Sequence, residues 1–142
     1  MSFNLTIIIP TDEQIRQLFA QLMVRKHNIS HKLLPSFDEH EYFVLNNPYR
    51  IWYMINFKNV SVGNIYVQYD NSIGLNIDDN IEEHDLIEIL SLLFEKVEPL
   101  KEAPSLRFGQ FYFNVPSSNK KMQSKLTRLG YVEVQRSFIA KT

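Results

Sequence analysis

A chain of 142 residues with 44% hydrophobic and 13% aromatic residues is long enough to bury one good core. Its formal charge is −1 with no long basic stretch, which excludes a nucleic-acid footprint, and no apolar run reaches a membrane span. The absence of cysteine excludes disulfides and thiol nucleophiles, and Met1-Ser2-Phe3-Asn4 does not read as a secretory leader, so a cytoplasmic, single-domain protein over 1–142 is expected.

Leu5, Ile7 and Ile9 alternate with Thr6 and Ile8, which predicts a first strand closed by Pro10. Thr11, with Gln14 three residues on, reads as a capping box. Ile15, Leu18, Phe19, Leu22 and Met23 share one face of the helix that follows, and Arg25 and Lys26 suit its C-terminal dipole. His27 to Pro35 is less regular. Ser36-Phe37-Asp38-Glu39 is a second capping box, opening a short helix to about Leu45 that Asn46-Asn47-Pro48 stops. His27, His31 and His40 all fall in this region.

Ile51 to Phe57 is apolar on both faces, as a central strand is. Lys58-Asn59 turns into Val62 to Tyr69, and Asp70-Asn71 turns into Ser72 to Ile77, giving an antiparallel meander. The chain then passes from strand to helix through Asp78, Asp79, Glu82, Glu83 and Asp85. Backbone N–H groups converge without partners at such a junction, which makes it a natural anion site, yet here it is lined with carboxylates. Acidic side chains there complement the helix dipole by roughly 0.3–1 kcal/mol each. Glu83, three residues after Asn80, is also spaced to complete a capping box over the free amides.

Leu86, Ile89, Leu90, Leu93 and Val97 form the apolar stripe of that helix, which ends before Pro99. Leu106 to Phe113 reads as a strand that the intervening helix allows to run parallel to its predecessor. Ser117 or Ser118 caps a last helix with Met122, Leu126 and Leu129 inward and Gly130 as its left-handed stop. Tyr131 to Ile139 is the closing strand, and its apolar members on both faces suit either pairing across a homodimer or a covered edge. The order β–α–α–β–β–β–α–β–α–β predicts an α/β (α+β) fold with a mixed central sheet and helices on both faces.

Few constellations carry chemistry by themselves. His27 and His31 stand at i, i+4 without the rest of a ligand set, so no metal site is expected. Gly-x-Ser-x-Gly, P-loop and dinucleotide fingerprints are absent. Phe108, Phe111, Tyr112 and Phe113 lack flanking cations and read as core.

Three passages resemble the GNAT superfamily of acyl-CoA-dependent N-acetyltransferases. Pro35-Ser36-Phe37-Asp38-Glu39-His40 and Pro48-Tyr49-Arg50-Ile51-Trp52-Tyr53 look like the acceptor-side helix and second strand. Val62-Gly63-Asn64-Ile65-Tyr66, a turn, then Asn71 to Ile77 is similar to the central hairpin. Asn114-Val115-Pro116, Asn119 and Arg128-Leu129-Gly130-Tyr131 resemble the late strand–helix motif. The resemblance implies transfer of an acetyl group from acetyl-CoA to a primary amine of a small molecule or amino sugar. It implies that Leu75, Asn76 and Ile77 pair with the pantetheine arm and that the pyrophosphate lies over Glu83, His84, Asp85, Leu86 and Ile87. Asn114 and Asn119 then flank the arm, Glu39 and His40 are the catalytic candidates, and His31, Arg50 and Tyr53 are substrate contacts. Arg50, beside Tyr49 and Trp52, reads equally as a stacked surface residue.

The chain departs from the family at the donor side. The family's loop reads Gln/Arg-x-x-Gly-x-Gly/Ala, whereas Glu83, Asp85 and Ile87 stand at or near the glycine positions. Each nearby carboxylate repels a phosphate charge by about 1 kcal/mol at 4 Å in water. Leu126 stands where many members place a tyrosine acid, Met122 where a small serine is common, and Pro116 falls one residue early. These departures support a second reading, a degenerate member of the fold without acetyl-CoA-dependent activity that acts as a ligand-binding or protein-interaction module.

Overall fold

Two tight turns with left-handed residues set the middle of the molecule. Lys58 (φ 49°) and Asn59 (φ 67°) join β2 (Ile51–Phe57) to β3 (Val60–Val67), and Asn71 (φ 70°) leads from β3 into β4 (Ser72–Asn76). Such backbones match the twist of antiparallel neighbours. β1 (Phe3–Ile7) pairs antiparallel with β2, and β5 (Tyr112–Phe113) pairs parallel with β4, so the sheet order is β1-β2-β3-β4-β5. The computed structural model describes residues 2–26 and 33–142.

Among the described residues four helices cover the sheet: α1 (Asp12–Met23), α2 (Phe37–Leu45), α3 (Glu83–Lys96) and α4 (Lys120–Arg128). The period of two in β2 divides them between faces. Tyr53 and Ile55 join Leu86, Ile89, Leu90 and Leu93 of α3 and Met122 and Leu126 of α4 in the larger core. Trp52 and Met54 face the other way and join Ile15 and Leu18 of α1 and Val44 of α2. The expected mixed sheet with helices on both faces is therefore present. No helix among the described residues is long and apolar enough to cross a membrane.

The last part of the chain differs from expectation. Only Tyr112 and Phe113 of the expected Leu106–Phe113 strand pair with β4. Ser105 (φ 65°) closes a tight turn between Ala103 and Arg107, and that turn leaves Leu106 77% exposed, where no ladder can reach it. The expected closing strand is not formed within the sheet: residues 131–142 carry no strand, and Phe138 and Ile139 are 87% and 95% exposed.

The caps are also redistributed. The Ser36–Glu39 box forms as expected, and Thr11 caps α1 by accepting from the Gln14 N–H (3.2 Å), but the Gln14 side chain donates through Nε2 to the Ile7 carbonyl and so leaves that box half made. Asn119, not Ser117 or Ser118, caps α4, its Oδ1 accepting from the Met122 N–H at 3.1 Å. Gly130 (φ 92°) then takes the left-handed stop.

Candidate functional site

The sheet opens between β4 and β5. The Ser72 carbonyl accepts from the Gln68 N–H (2.9 Å) on the β3 side, so by alternation Gly74 and Asn76 also face β3, while Ile73 and Leu75 turn their backbone groups toward β5. Ile73 is met there, its carbonyl accepting from the Asn114 N–H at 3.3 Å. Leu75 is not: the β4–β5 register ends at Ile73↔Phe113, and the chain leaves through Val115 and Pro116. A gap of about 20 Å³ remains, lined by Leu75, Phe113, Asn114, Val115, Pro116, Asn119, Met122 and Leu126. Of the donor-side residues expected from sequence, Leu75, Asn114 and Asn119 line this gap. The backbone of Asn76 is taken by Asn64 across the β3–β4 ladder, and the side chain of Asn119 is spent on its cap.

Gly74 allows the other side of β4 to be covered closely. A Cβ there would fall 2.0 Å from the Tyr66 ring, which stacks on Tyr49 with centroids 3.8 Å apart. Alongside, the Asn64 side chain accepts from Trp52 Nε1 (3.0 Å) and Asn76 Nδ2 (3.1 Å) and donates to Gln21 Oε1 (2.8 Å). This polar chain ties α1 to the open end of β4.

At that end begins α3, with Glu82 as its N-cap and no side-chain hydrogen bond to the cap. The capping box expected from Asn80 and Glu83 is not made. Asp78 instead closes its own turn, accepting from the Asn80 N–H at 2.9 Å, and Glu83 is drawn sideways to Arg128 Nε of α4. The amides of Glu83, His84 and Asp85 thus receive no side-chain cap, whereas the Leu86 N–H bonds the Glu82 carbonyl and the Leu86 side chain is core. Ile87 points partly to solvent, and His84, 3.3 Å from Asp85, is also exposed.

Sequence reasoning missed what faces these amides. Lys121, Lys125 and Arg128 stand at i, i+4 and i+7 of α4, hence on one side of it. Lys121 Nζ donates to Asn80 Oδ1 (2.7 Å), and the buried Lys125 donates to the Asp79 carbonyl (2.5 Å). Lys125 and Arg128 line an open recess of about 330 Å³ with Asn80 to His84. The acidic junction is therefore countered by three cations from another helix, and the helix dipole adds to them. The i, i+4, i+7 spacing was the available signal.

The acceptor-side residues are less concentrated than expected. Glu39 accepts from the Ser36 N–H (3.0 Å) and closes the capping box, and those Ser36 bonds hold its carboxyl below the usual range. His40 is buried under Phe19 and Phe37, with Nε2 3.2 Å from the Ile15 carbonyl. Arg50 donates to the Glu98 carbonyl (3.0 Å), and Tyr53 lies in the α3-side core, across the sheet from α2. Neither stands with Glu39 and His40. His31 lies outside the described residues, as does His27. Among the described residues no group of three or more His, Cys, Asp or Glu could hold a metal. The α1–α2 face instead gathers Arg25, whose guanidinium burial pushes down while Tyr66 and Tyr49 push it up.

His40 makes a pH-dependent contribution to stability. Burial lowers its folded pKa below 6.5, so the unfolded chain binds more protons in the interval between the two values. Its contribution is fully present above about pH 6.5 and lost as pH falls toward the folded value. Thermal melts between pH 7.5 and 5.5 are expected to show a declining Tm in the wild type and a shallower decline in His40→Gln; equal slopes would refute this.

No protein-family model and no curated protein matches the chain in sequence. Solved structures do match in shape. An acetyltransferase from Thermus thermophilus superposes with a TM-score of 0.68 at 13% identity, over 95% of this chain and 90% of that one. A domain from Methanocaldococcus jannaschii gives 0.64 at 15% identity, covering 95% and 91%. A dodecameric spermidine N-acetyltransferase from Vibrio cholerae gives 0.57 at 14% identity, covering 94% and 81%. The chain has a GNAT-type acetyltransferase fold.

Proposed function

We propose that the protein is an N-acetyltransferase that moves an acetyl group from acetyl-CoA to a primary amine of a small molecule. One observation carries this reading: the uncapped N-terminus of α3 opens into a recess beside the β4–β5 gap, and Lys125 and Arg128 line that recess. A pyrophosphate at α3 would accept from the amides of Glu83, His84 and Asp85 and be neutralised by the α4 cations. The pantetheine arm would run to Leu75, whose unpaired amide can bond the arm or the oxyanion that forms when the amine attacks the thioester carbonyl. The C–N bond forms, the C–S bond breaks, and the thiolate takes up a proton. The gap holds only about 20 Å³, so admitting the arm would require α4 or the 113–116 segment to move away from β4. The amine would approach from the α1–α2 face, past Tyr49, Tyr66 and Arg25.

The acidic junction is the main argument for the alternative, a ligand-binding or interaction module without acetyl-CoA-dependent activity. Pairing of Glu83 with Arg128 blunts it, because neutralising the carboxylate should release the guanidinium for phosphate. Glu83→Gln is expected to tighten acetyl-CoA binding by about 3- to 10-fold, since one repulsive term of roughly 1 kcal/mol is removed. The exposed pair itself contributes only about 0.2–1 kcal/mol to stability. Unchanged or weaker binding by calorimetry would place the donor elsewhere.

A further inference from the structure

Arg25 stands apart from the other arginines. Arg16 lies over the Phe37 ring (5.9 Å), Arg50 and Arg107 donate to the Glu98 and Lys101 carbonyls, and Arg128 and Arg136 pair with Glu83 and Glu133. Among the described residues Arg25 has no such partner, although it is only half exposed to water.

Its place follows from two periodicities. Gln21 stands one turn earlier, and the Arg25 N–H still bonds the Leu22 carbonyl (3.2 Å), so the turn at the end of α1 persists. Gln21 Oε1 accepts from Asn64 of β3, and Tyr66 is the next residue of β3 on that face of the sheet. One turn along the helix and two residues along the strand therefore bring Arg25 to Tyr66, whose ring stacks on Tyr49. The charged and titratable neighbours agree with that place: Tyr66 and Tyr49 act on Arg25, and Arg25 acts on His40 as a like charge. Burial pushes the Tyr49 hydroxyl up, so no phenolate supplies the missing anion there. A guanidinium partly withdrawn from water without a counterion is an unfinished ion pair, and a carboxylate completes it. The Tyr66 ring also lies against Gly74, where a Cβ would fall 2.0 Å from it, and Gly74 immediately precedes Leu75. The unpaired cation and the open end of β4 thus border the same ring.

We propose that Arg25 receives the carboxylate of the molecule bound on this face, which makes the acceptor an amino acid. The planar fork of the guanidinium takes both carboxylate oxygens, and the body of the ligand lies along Tyr66 and Tyr49. Its amine is then directed toward Leu75. An amine without the carboxylate meets only a like charge at Arg25 and is disfavoured. The fate of the amine rests on the transferase reading above; the carboxylate contact does not.

Calorimetry on the full chain with CoA present tests this, using the L-amino acids, β-alanine and 4-aminobutyrate, each beside its own amide. At least one acid is expected to bind about 10-fold or more tightly than its amide. Arg25→Gln should bring that ratio to about 1, and Arg25→Lys should keep part of it, because charge without the fork remains. Arg25 holds no other described side chain, so both variants should fold as the wild type does. No binding of any acid at millimolar concentration would overturn the proposal. So would equal affinity for acid and amide, or a preference that survives in Arg25→Gln. Thiol release from acetyl-CoA, followed in parallel, separates the two readings. A preference for acids without thiol release would support the carboxylate site and remove the transferase reading alone. Thiol release at equal KM for acid and amide would overturn the carboxylate site and leave the transferase reading standing.

Discussion

Arg128→Glu is expected to weaken acetyl-CoA binding by about 30- to 1000-fold while leaving the fold in place. The substitution removes a charge-assisted hydrogen bond, roughly 1.5–3 kcal/mol, and adds a like charge beside the phosphates for about 1 kcal/mol more. About 1.4 kcal/mol corresponds to a factor of ten in affinity. Arg128 is half exposed and its pair with Glu83 is a surface pair, so Tm should change little. Lys121→Glu, further along the same side of α4, should act in the same direction with a smaller effect. Equal affinities for wild type and Arg128→Glu, measured by calorimetry at low salt, would remove the α4 cations from the donor site.

The largest loss of stability outside the apolar core is expected at Asn71. Its side chain is fully buried and makes three hydrogen bonds: Nδ2 donates to the Leu100 carbonyl (2.8 Å) and the Phe108 carbonyl (2.6 Å), and Oδ1 accepts from the Leu100 N–H (2.7 Å). It therefore fastens both ends of the long connection between α3 and β5 to the turn before β4. Asn71→Ala leaves those backbone groups without their partner and forces alanine into a left-handed backbone (φ 70°). The three hydrogen bonds contribute about 0.5–1.5 kcal/mol each and the backbone about 1–2 kcal/mol, so a total loss near 3–6 kcal/mol is expected. Asn71→Gly loses the same bonds but fits the backbone, and should be about 1 kcal/mol less damaging. Urea titrations of the two variants separate these contributions. A loss under about 1 kcal/mol in Asn71→Ala would show that the connection is held by other means.

Much of the fold was legible because its signals are local. The Ser36–Glu39 box, the Lys58-Asn59 and Asn71 turns and the α3 stripe lie within a few residues of the structure they specify. The end of the chain was not legible in that way. Leu106 and Leu129 are both apolar, but a turn at Ser105 puts Leu106 in solvent, and nothing in the pattern of 100–113 announces that turn. The apolar members of 131–139 led to the expectation of a closing strand, yet no strand forms there, because composition alone does not supply a neighbouring edge for it to pair with.

The candidate site divides along the same line. Leu75 follows from strand parity once the hairpin is placed. The separation of Tyr53 from Trp52 is also a matter of parity and could be read from the sequence. The fate of Glu83 depends on a contact across 45 residues with Arg128, which no local rule supplies. The carboxylates at the α3 junction therefore looked more hostile to an anion in sequence than they are beside α4. Glu39 and His40 are each engaged locally, Glu39 accepting from the Ser36 N–H and His40 Nε2 lying 3.2 Å from the Ile15 carbonyl; the first contact follows from the capping spacing, the second from packing that no local rule supplies.

The most direct measurement is a calorimetric titration of the full chain with acetyl-CoA, repeated with an acetylated pantetheine fragment that lacks the pyrophosphate. Micromolar binding of acetyl-CoA is expected, with affinity for the fragment at least about 10-fold weaker because the α3 amides and α4 cations have nothing to hold. No heat at millimolar acetyl-CoA, or equal affinity for the two ligands, would contradict a phosphate-anchored donor site at α3.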